Sequence, residues 1–384
     1  MDALTIECSD ARAFLRLCLR AHHNATAREV VQRVAASSAV QWEGVCDLAE
    51  AERVGPLIYR ALRTAPIPAA ALQRLQDSYR RTSLRNLMLL REAGDAVQAL
   101  TAAGILVIIL KGGALAETVY NNPALRQLQD IDVLMHREDL PAALRVLAAL
   151  GYETPGVEPR AGVVAAYENE LLLYKRGRLN VPLEVHWSLF DSPHYQHALP
   201  MDWFWETSVT LPVGNAVART LGLEAQLLHL CGHLLLHHTG EELLWLNDIA
   251  ELIACNQRRI DWTLAMERAA VCDLVLPMQR VIERVASEWD APVPGAVRDR
   301  LRALTASARE KRVFTWLTTK DRTRMQRLWA DFVSLPNWRH RLRFASAYLF
   351  PSRAYMRELY GVRRSVLVPL YYPYRWLRGL RGAR

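Results

Sequence analysis

Lysine is almost missing from this chain. Only Lys111, Lys175, Lys311 and Lys320 occur among 384 residues, and nearly all other basic side chains are arginine. Zinc-ribbon spacing is missing too: the six cysteines (Cys8, Cys18, Cys46, Cys231, Cys255 and Cys272) form no CxxC pair. They read as reduced, small core residues rather than metal ligands. No apolar run is long enough to span a bilayer. The first residues, Met1 to Glu7, lack the basic start and apolar stretch of a signal peptide. A soluble, cytoplasmic protein is therefore the expectation. There is no internal repeat and no low-complexity tract, which excludes solenoids and disordered linkers. His229, His233 and His237 recur at helical spacing, but no HExxH accompanies them. That favours a polar seam facing a cleft or a neighbouring helix over a zinc site.

Charge is unevenly placed. The formal net charge is +8, yet residues 331–384 alone hold eleven arginines against Asp331 and Glu358. The remainder is near neutral, so the basic character belongs to the C-terminal end. Trp338, Arg339, Arg341, Arg343, Tyr348 and Phe350 lie there, before a closing Tyr371-Tyr372-Pro373-Tyr374-Arg375-Trp376. Basic plus aromatic composition suits an anionic membrane surface or a nucleic acid, and equally a helical cap with solvated arginines.

Residues from about 10 to 103 carry helical apolar spacing, with a long amphipathic helix expected over 69–103. At Gly104 the pattern changes. Ile105 to Leu110 is a β-branched apolar run, Lys111-Gly112-Gly113 a turn, and Ala114 to Tyr120 a helix. Leu128 to Met135 alternates as a strand. Glu170 to Tyr174 and Val181 to Trp187 are two more strands around a polar turn. Beyond about residue 215 the chain reads as helical again. The expectation is an α+β fold with a small mixed sheet of roughly three to five strands. Its divisions are an N-terminal helical region 1–103, a core 104–200 and a C-terminal helical region 201–384.

The chemistry concentrates in that core. In a strand, residues i and i+2 share a face, so Asp130 and Asp132 would project together. Two partly buried carboxylates side by side repel, and a divalent cation resolves the repulsion. Gly112 and Gly113, between strand and helix, suit close approach of a phosphate to backbone amides, and Lys111 adds a point charge. Arg126 lies one short turn before the carboxylates, where it could meet a triphosphate or pair with Asp130. Glu184, with His186 on the same face, supplies a third carboxylate able to complete a metal cage or accept a proton. His186, His233 and Asp248 are candidates for supporting the ligands from behind.

The ordered set Lys111-Gly112-Gly113, Tyr120, Arg126, Asp130-Ile131-Asp132 and Glu184-Val185-His186-Trp187 resembles the uncharacterised nucleotidyltransferase family of the DNA polymerase β-like superfamily. Pro56-Leu57-Ile58-Tyr59 and Trp245-Leu246-Asn247-Asp248-Ile249-Ala250 extend the resemblance on both sides. It implies that Asp130, Asp132 and Glu184 hold Mg²⁺ or Mn²⁺ and that Lys111, Gly112, Gly113 and Arg126 contact a nucleoside triphosphate. It further implies transfer of a nucleoside monophosphate to an acceptor hydroxyl on a small molecule, glycan or peptide. The chain departs from the superfamily pattern at Gly113, where serine is usual, and at Glu184, often aspartate. Two alternatives stay open: a catalytically silent nucleotide-binding module, and an RNA-modifying enzyme served by the basic C-terminus.

Overall fold

Capping side chains explain why the N-terminal third is helical. Asp10 accepts from Arg12 N at the start of α1 (Ala11–Arg20), and Asn24 from Ala27 N at the start of α2 (Ala25–Ala35). Next come α3 (Trp42–Ala51) and α4 (Gly55–Leu62), with Pro56 in the first turn of α4 where its missing N–H costs nothing. The long helix α5 (Ala69–Ala102) has no proline and a single interior glycine, Gly94. Gly104, with φ +78°, terminates it in the left-handed region. The structure, a computed structural model, describes residues 10–380 apart from 39, 158, 159, 161, 178, 179, 239, 320–325, 327, 330, 331, 334, 336 and 363.

The sheet region follows as β1 (Ile108–Ile109), α6 (Lys111–Thr118), β2 (Ile131–Leu134), α7 (Leu140–Ala149) and β3 (Tyr152–Glu153). It continues with α8 (Val163–Tyr167), β4 (Glu170–Lys175), β5 (Val181–His186), α9 (Pro193–Ala198), α10 (Met201–Glu206), β6 (Val209–Val213) and β7 (Ala216–Thr220). The strands make one seven-stranded sheet in the order β3-β4-β5-β2-β1-β7-β6. The pairs β2–β5 and β1–β7 are parallel and the others antiparallel. Helices α11 (Leu223–Leu236), α12 (Leu243–Asn256), α13 (Trp262–Val271), α14 (Val275–Glu288), α15 (Gly295–Ala303) and α16 (Ala308–Thr318) come next. The chain closes with α17 (Trp338–Leu349), α18 (Arg353–Tyr360) and α19 (Val368–Leu380).

The fold is α+β, as the pattern predicts, but the sheet is larger than predicted. Its extra strands are β3 and the β6–β7 hairpin. The hairpin lies beyond residue 200, in the stretch expected from the sequence to belong to the C-terminal helical region. Its signal was present in the sequence: two short runs joined by Gly214-Asn215, a two-residue hairpin turn. Gly214 has φ +54°, and a Cβ there would sit 2.5 Å from Leu90 O, so the turn packs directly on α5.

Alternation along the strands divides the core in two. Ile109, Ile131, Val133, Leu183 and Val185 pack with the C-terminal half of α5 and with α7. Ile108 and Leu134 face the opposite way, into a large cluster that joins α1 to α4 with α11 to α15. The N-terminal and C-terminal helical regions thus share one apolar core on one face of the sheet. Four cysteines (Cys18, Cys46, Cys231 and Cys272) are free and buried, and Cys255 is free and exposed. Cys8 lies outside the described residues.

A buried polar clamp joins the sheet to that helical layer. Asp248 of α12 is fully buried and accepts from Arg126 Nη2 at 2.8 Å and from Tyr120 OH at 2.7 Å. Asn247 Nδ2 donates to Tyr120 OH at 2.9 Å, and the Arg126 guanidinium lies 5.1 Å from the Trp245 ring centroid. Asn86 of α5 secures the same segment, donating to Arg126 O and accepting from Leu128 N. Removing one partner of a buried ion pair strands the other charge. Asp248→Ala is therefore expected to destabilise the fold by about 3–5 kcal/mol in urea denaturation. The double variant Arg126→Met/Asp248→Leu should lose clearly less than that single one. Equal losses would mean the pair is not acting as a unit.

Candidate active site

The parallel pairing of β2 with β5 sets Asp132 directly opposite Glu184, on the face turned toward the helical layer. Two carboxylates on neighbouring strands are about as close as side chains in a sheet come. On the far side of β5, antiparallel β4 sets Glu170 opposite His186. Three strands therefore bring three acids and one imidazole to one patch. Asp132 and His186 are buried, whereas Glu184 keeps a partly open side chain.

Lys111 closes the patch from the first position of α6. Its backbone is left-handed, φ +46°, a conformation that costs a non-glycine residue of the order of 1 kcal/mol. The turn sends its side chain back to the strands. Lys111 Nζ stands 2.6 Å from Asp132 Oδ1 and 3.4 Å from Glu184 Oε2. His186 Nε2 stands 3.0 Å from the same Asp132 oxygen and 3.5 Å from Glu184 Oε2, while its Nδ1 lies 3.1 Å from Glu170 Oε2.

These contacts set the proton inventory. Burial alone would raise the Asp132 carboxyl, but the Lys111 charge and the His186 hydrogen bond hold it well below the usual carboxylate range. Burial and Lys111 would lower His186, but its bonds to Asp132, Glu170 and Glu184 outweigh them and raise it to about 10. At neutral pH the ring is thus an imidazolium that donates from Nε2 to Asp132. Burial would raise Glu170 as well, and the same His186 contact brings it down to about 2. Burial would also lower Lys111, and the carboxylates reverse that and hold its ammonium protonated.

Asp130 stands apart. The strand begins at Ile131, so Asp130 sits in a bend before it rather than two residues along one strand face. The i, i+2 argument fails for it because Asn86 holds the preceding segment out of the sheet. Asp130 is half-buried and, among the described residues, meets no cation at ion-pair distance. Burial first, then repulsion from Asp132 and Glu184, raise its carboxyl to about 6. Among the described residues Asp132, Glu184 and His186 form a group compact enough to hold a metal ion, and Asp130 lies outside it.

The glycines begin α6 rather than forming a separate turn. The first helical bond runs from Ala114 N to Leu110 O, so the amides of Lys111, Gly112 and Gly113 precede the ladder. At Gly112 a Cβ would lie 2.5 Å from Arg126 Nη1 and 2.8 Å from Leu128 Cδ2. The missing side chain there makes room for the clamp beneath. At Gly113 the tightest approach is 3.0 Å to Ile109 Cγ2.

Arg126 belongs to that clamp. Its guanidinium is buried, bound to Asp248 and to Gln127 O, and does not join the acidic patch. Asp248 pairs with Arg126 and Tyr120, not with a histidine. The histidine rings of α11 pack on aromatic side chains, with His229 5.8 Å from Phe190 and His233 4.7 Å from Trp245 of the neighbouring helix α12 between ring centroids. Burial first, then the Lys111 charge, push His229 and His233 well below the usual imidazole range, and His237 to about 4. These rings are neutral, with His237 Nε2 accepting from Asp191 N and His233 3.0 Å from His238. Glu170 is the member sequence reasoning did not single out. Its signal was the hairpin register, since counting back from the 176–180 turn pairs it with His186.

A profile of the family described as uncharacterised nucleotidyltransferase matches residues 38–290 of the chain. Among solved structures, the chain is similar to the crystal structure of an antigenic nucleotidyltransferase-like protein from Paracoccidioides brasiliensis, at 16% identity and a TM-score of 0.35. That likeness covers 53% of this chain and 93% of the other. No curated protein matches. The profile match takes in more than half of the chain and every residue of the site. The chain belongs to the uncharacterised nucleotidyltransferase family.

Proposed function

We propose that the chain transfers a nucleoside monophosphate from a nucleoside triphosphate to an acceptor hydroxyl, with one divalent cation held at Asp132 and Glu184. The observation that carries this reading is the register of those two carboxylates on adjacent parallel strands, beside the free amides that begin α6. Oxygen donors of this kind suit Mg²⁺ or Mn²⁺. Charge supports a single ion. Asp132, Glu170 and Glu184 meet two internal cations, Lys111 and His186; Asp130 beside them makes four acids, and one divalent ion closes the deficit. His186, 3.0 Å from Asp132 Oδ1, fixes the Asp132 carboxylate from the side of β5. Asp130, lacking a cation of its own, is the natural further oxygen donor.

When bound, the ion neutralises charge on the α-phosphate and on the departing pyrophosphate. The amides of Lys111, Gly112 and Gly113, at the positive end of α6, hold phosphate oxygens. Glu184, the more open of the paired acids, accepts the proton of the acceptor hydroxyl. A bond forms between that oxygen and the α-phosphorus. The bond from the α-phosphorus to the bridging oxygen breaks, and pyrophosphate leaves.

Asp132→Asn should cut metal-dependent pyrophosphate release by about 10²–10³-fold, the usual scale for one electrostatic stabiliser. An unchanged rate in a folded Asp132→Asn protein would overturn the reading.

A second reading is favoured by one contact: the Lys111 ammonium lies against both carboxylates that would bind the ion. On that reading the chain is a silent relative whose lysine replaces the metal. Titration of Mn²⁺ followed by calorimetry separates the two. The catalytic reading expects wild type to bind Mn²⁺, and Lys111→Met to bind it more tightly, roughly tenfold. The silent reading expects no heat in wild type and binding only in Lys111→Met.

A further inference from the structure

The C-terminal helices carry apolar side chains on the outside. Leu370, Pro373, Tyr374 and Leu377 of α19 are spaced i, i+3, i+4 and i+7, so they form one stripe, and all four are exposed. Val366 and Leu367 extend the stripe at its start, with Val366 79% and Leu370 70% accessible. The face of α19 that packs inward is a different one: Tyr371 and Tyr372 rest against Met356, Val362 and Val368. α17 repeats the arrangement. Trp338, Leu342 and Leu349 share a face and are exposed, while Phe344 and Ala347 are buried against α8.

The two stripes are continuous. Phe350 and Trp376 meet edge to face at 5.4 Å, Trp376 Nε1 donates to Leu349 O at 2.9 Å, and Tyr372 OH donates to Pro351 O at 2.6 Å. Leu349, Phe350, Trp376 and Leu377 are all exposed around this junction. A contiguous exposed apolar surface marks an interaction site.

Charge identifies the occupant. Arg339 and Arg343 border the α17 stripe, and Arg364 and Arg378 bracket the α19 stripe, all four exposed. Among the described residues none of the four meets a carboxylate. Arginines elsewhere do: Arg16, Arg20, Arg74, Arg284, Arg298 and Arg302 each pair with an acid. Arg363, beside Arg364 in the sequence, lies outside the described residues.

We propose that α17 and α19 form a docking face for an anionic lipid surface. Aliphatic residues flanked by unpaired arginine and by tryptophan and tyrosine are the make-up of a helix lying in the interfacial plane, its apolar face among acyl chains and its cations at lipid phosphates. Single-stranded nucleic acid fits less well, because leucine and valine give no stacking platform for bases. No described helix is long and apolar enough to cross a membrane, and the proposed contact is with the lipid surface. The inference is independent of the nucleotidyl-transfer reading, since none of these residues touches the site.

The test is flotation of the full chain with vesicles of phosphatidylcholine alone and of phosphatidylcholine with phosphatidylglycerol, about three to one. Wild type is expected to float with the anionic vesicles only, less so as salt rises, with a blue shift of tryptophan emission. Leu370→Glu/Leu377→Glu, both at exposed positions, should weaken binding roughly tenfold or more with an unchanged thermal melt. Arg339→Ser/Arg343→Ser is the second variant, and it too should weaken anionic binding. No flotation of wild type on anionic vesicles overturns the proposal. So does equal flotation on neutral vesicles, equal binding by both variants, or capture by a single-stranded RNA homopolymer in place of vesicles.

Discussion

Putting several carboxylates on the inner face of a sheet is the constraint that organises this protein. Asp132 is nearly inaccessible and lies in register with Glu184. Burying such a pair without compensation is prohibitive. The chain compensates with two cations brought from opposite directions: Lys111 from the start of α6 and His186 from β5 itself. Each has a structural consequence. Lys111 reaches the acids only through a left-handed backbone. His186 stays protonated through Asp132, Glu170 and Glu184, and the Glu170 contact requires the β4–β5 hairpin in its observed register.

The layers around the site follow from the same demand. Further positive charge near Lys111 and the His186 imidazolium would be repelled. The seam of α11 carries histidines that burial and Lys111 keep neutral. Beneath the glycines, Arg126 is spent on Asp248 and Tyr120, tying the segment before β2 to α12. Gly112 has no side chain because Arg126 and Leu128 occupy that space. The glycine at this position therefore serves packing as much as access. Family membership and geometry meet on the same residues, since the family match contains both the acidic patch and the clamp.

Much of this was determined by the sequence alone. Apolar periodicity gave α5 and the helices beyond residue 220, and the run before Lys111 with the alternation around 131–134 and 181–186 gave the central strands. Those signals are local: each depends on a side-chain repeat and a nearby cap or breaker. Lys111, Asp132, Glu184 and His186 were legible for the same reason, as titratable side chains set within or just after apolar strand runs. The tertiary structure decided which of them meet. It put Asp130 outside the strand, because Asn86, more than forty residues earlier, holds the preceding segment. It gave Arg126 to Asp248, a partner 122 positions away. It brought Glu170 to His186 through strand register, and it left the α17 and α19 stripes facing outward when their periodicity alone would read as buried. Which charge neutralises which depends on long-range placement, and one strand's alternation carries no information about the strand beside it.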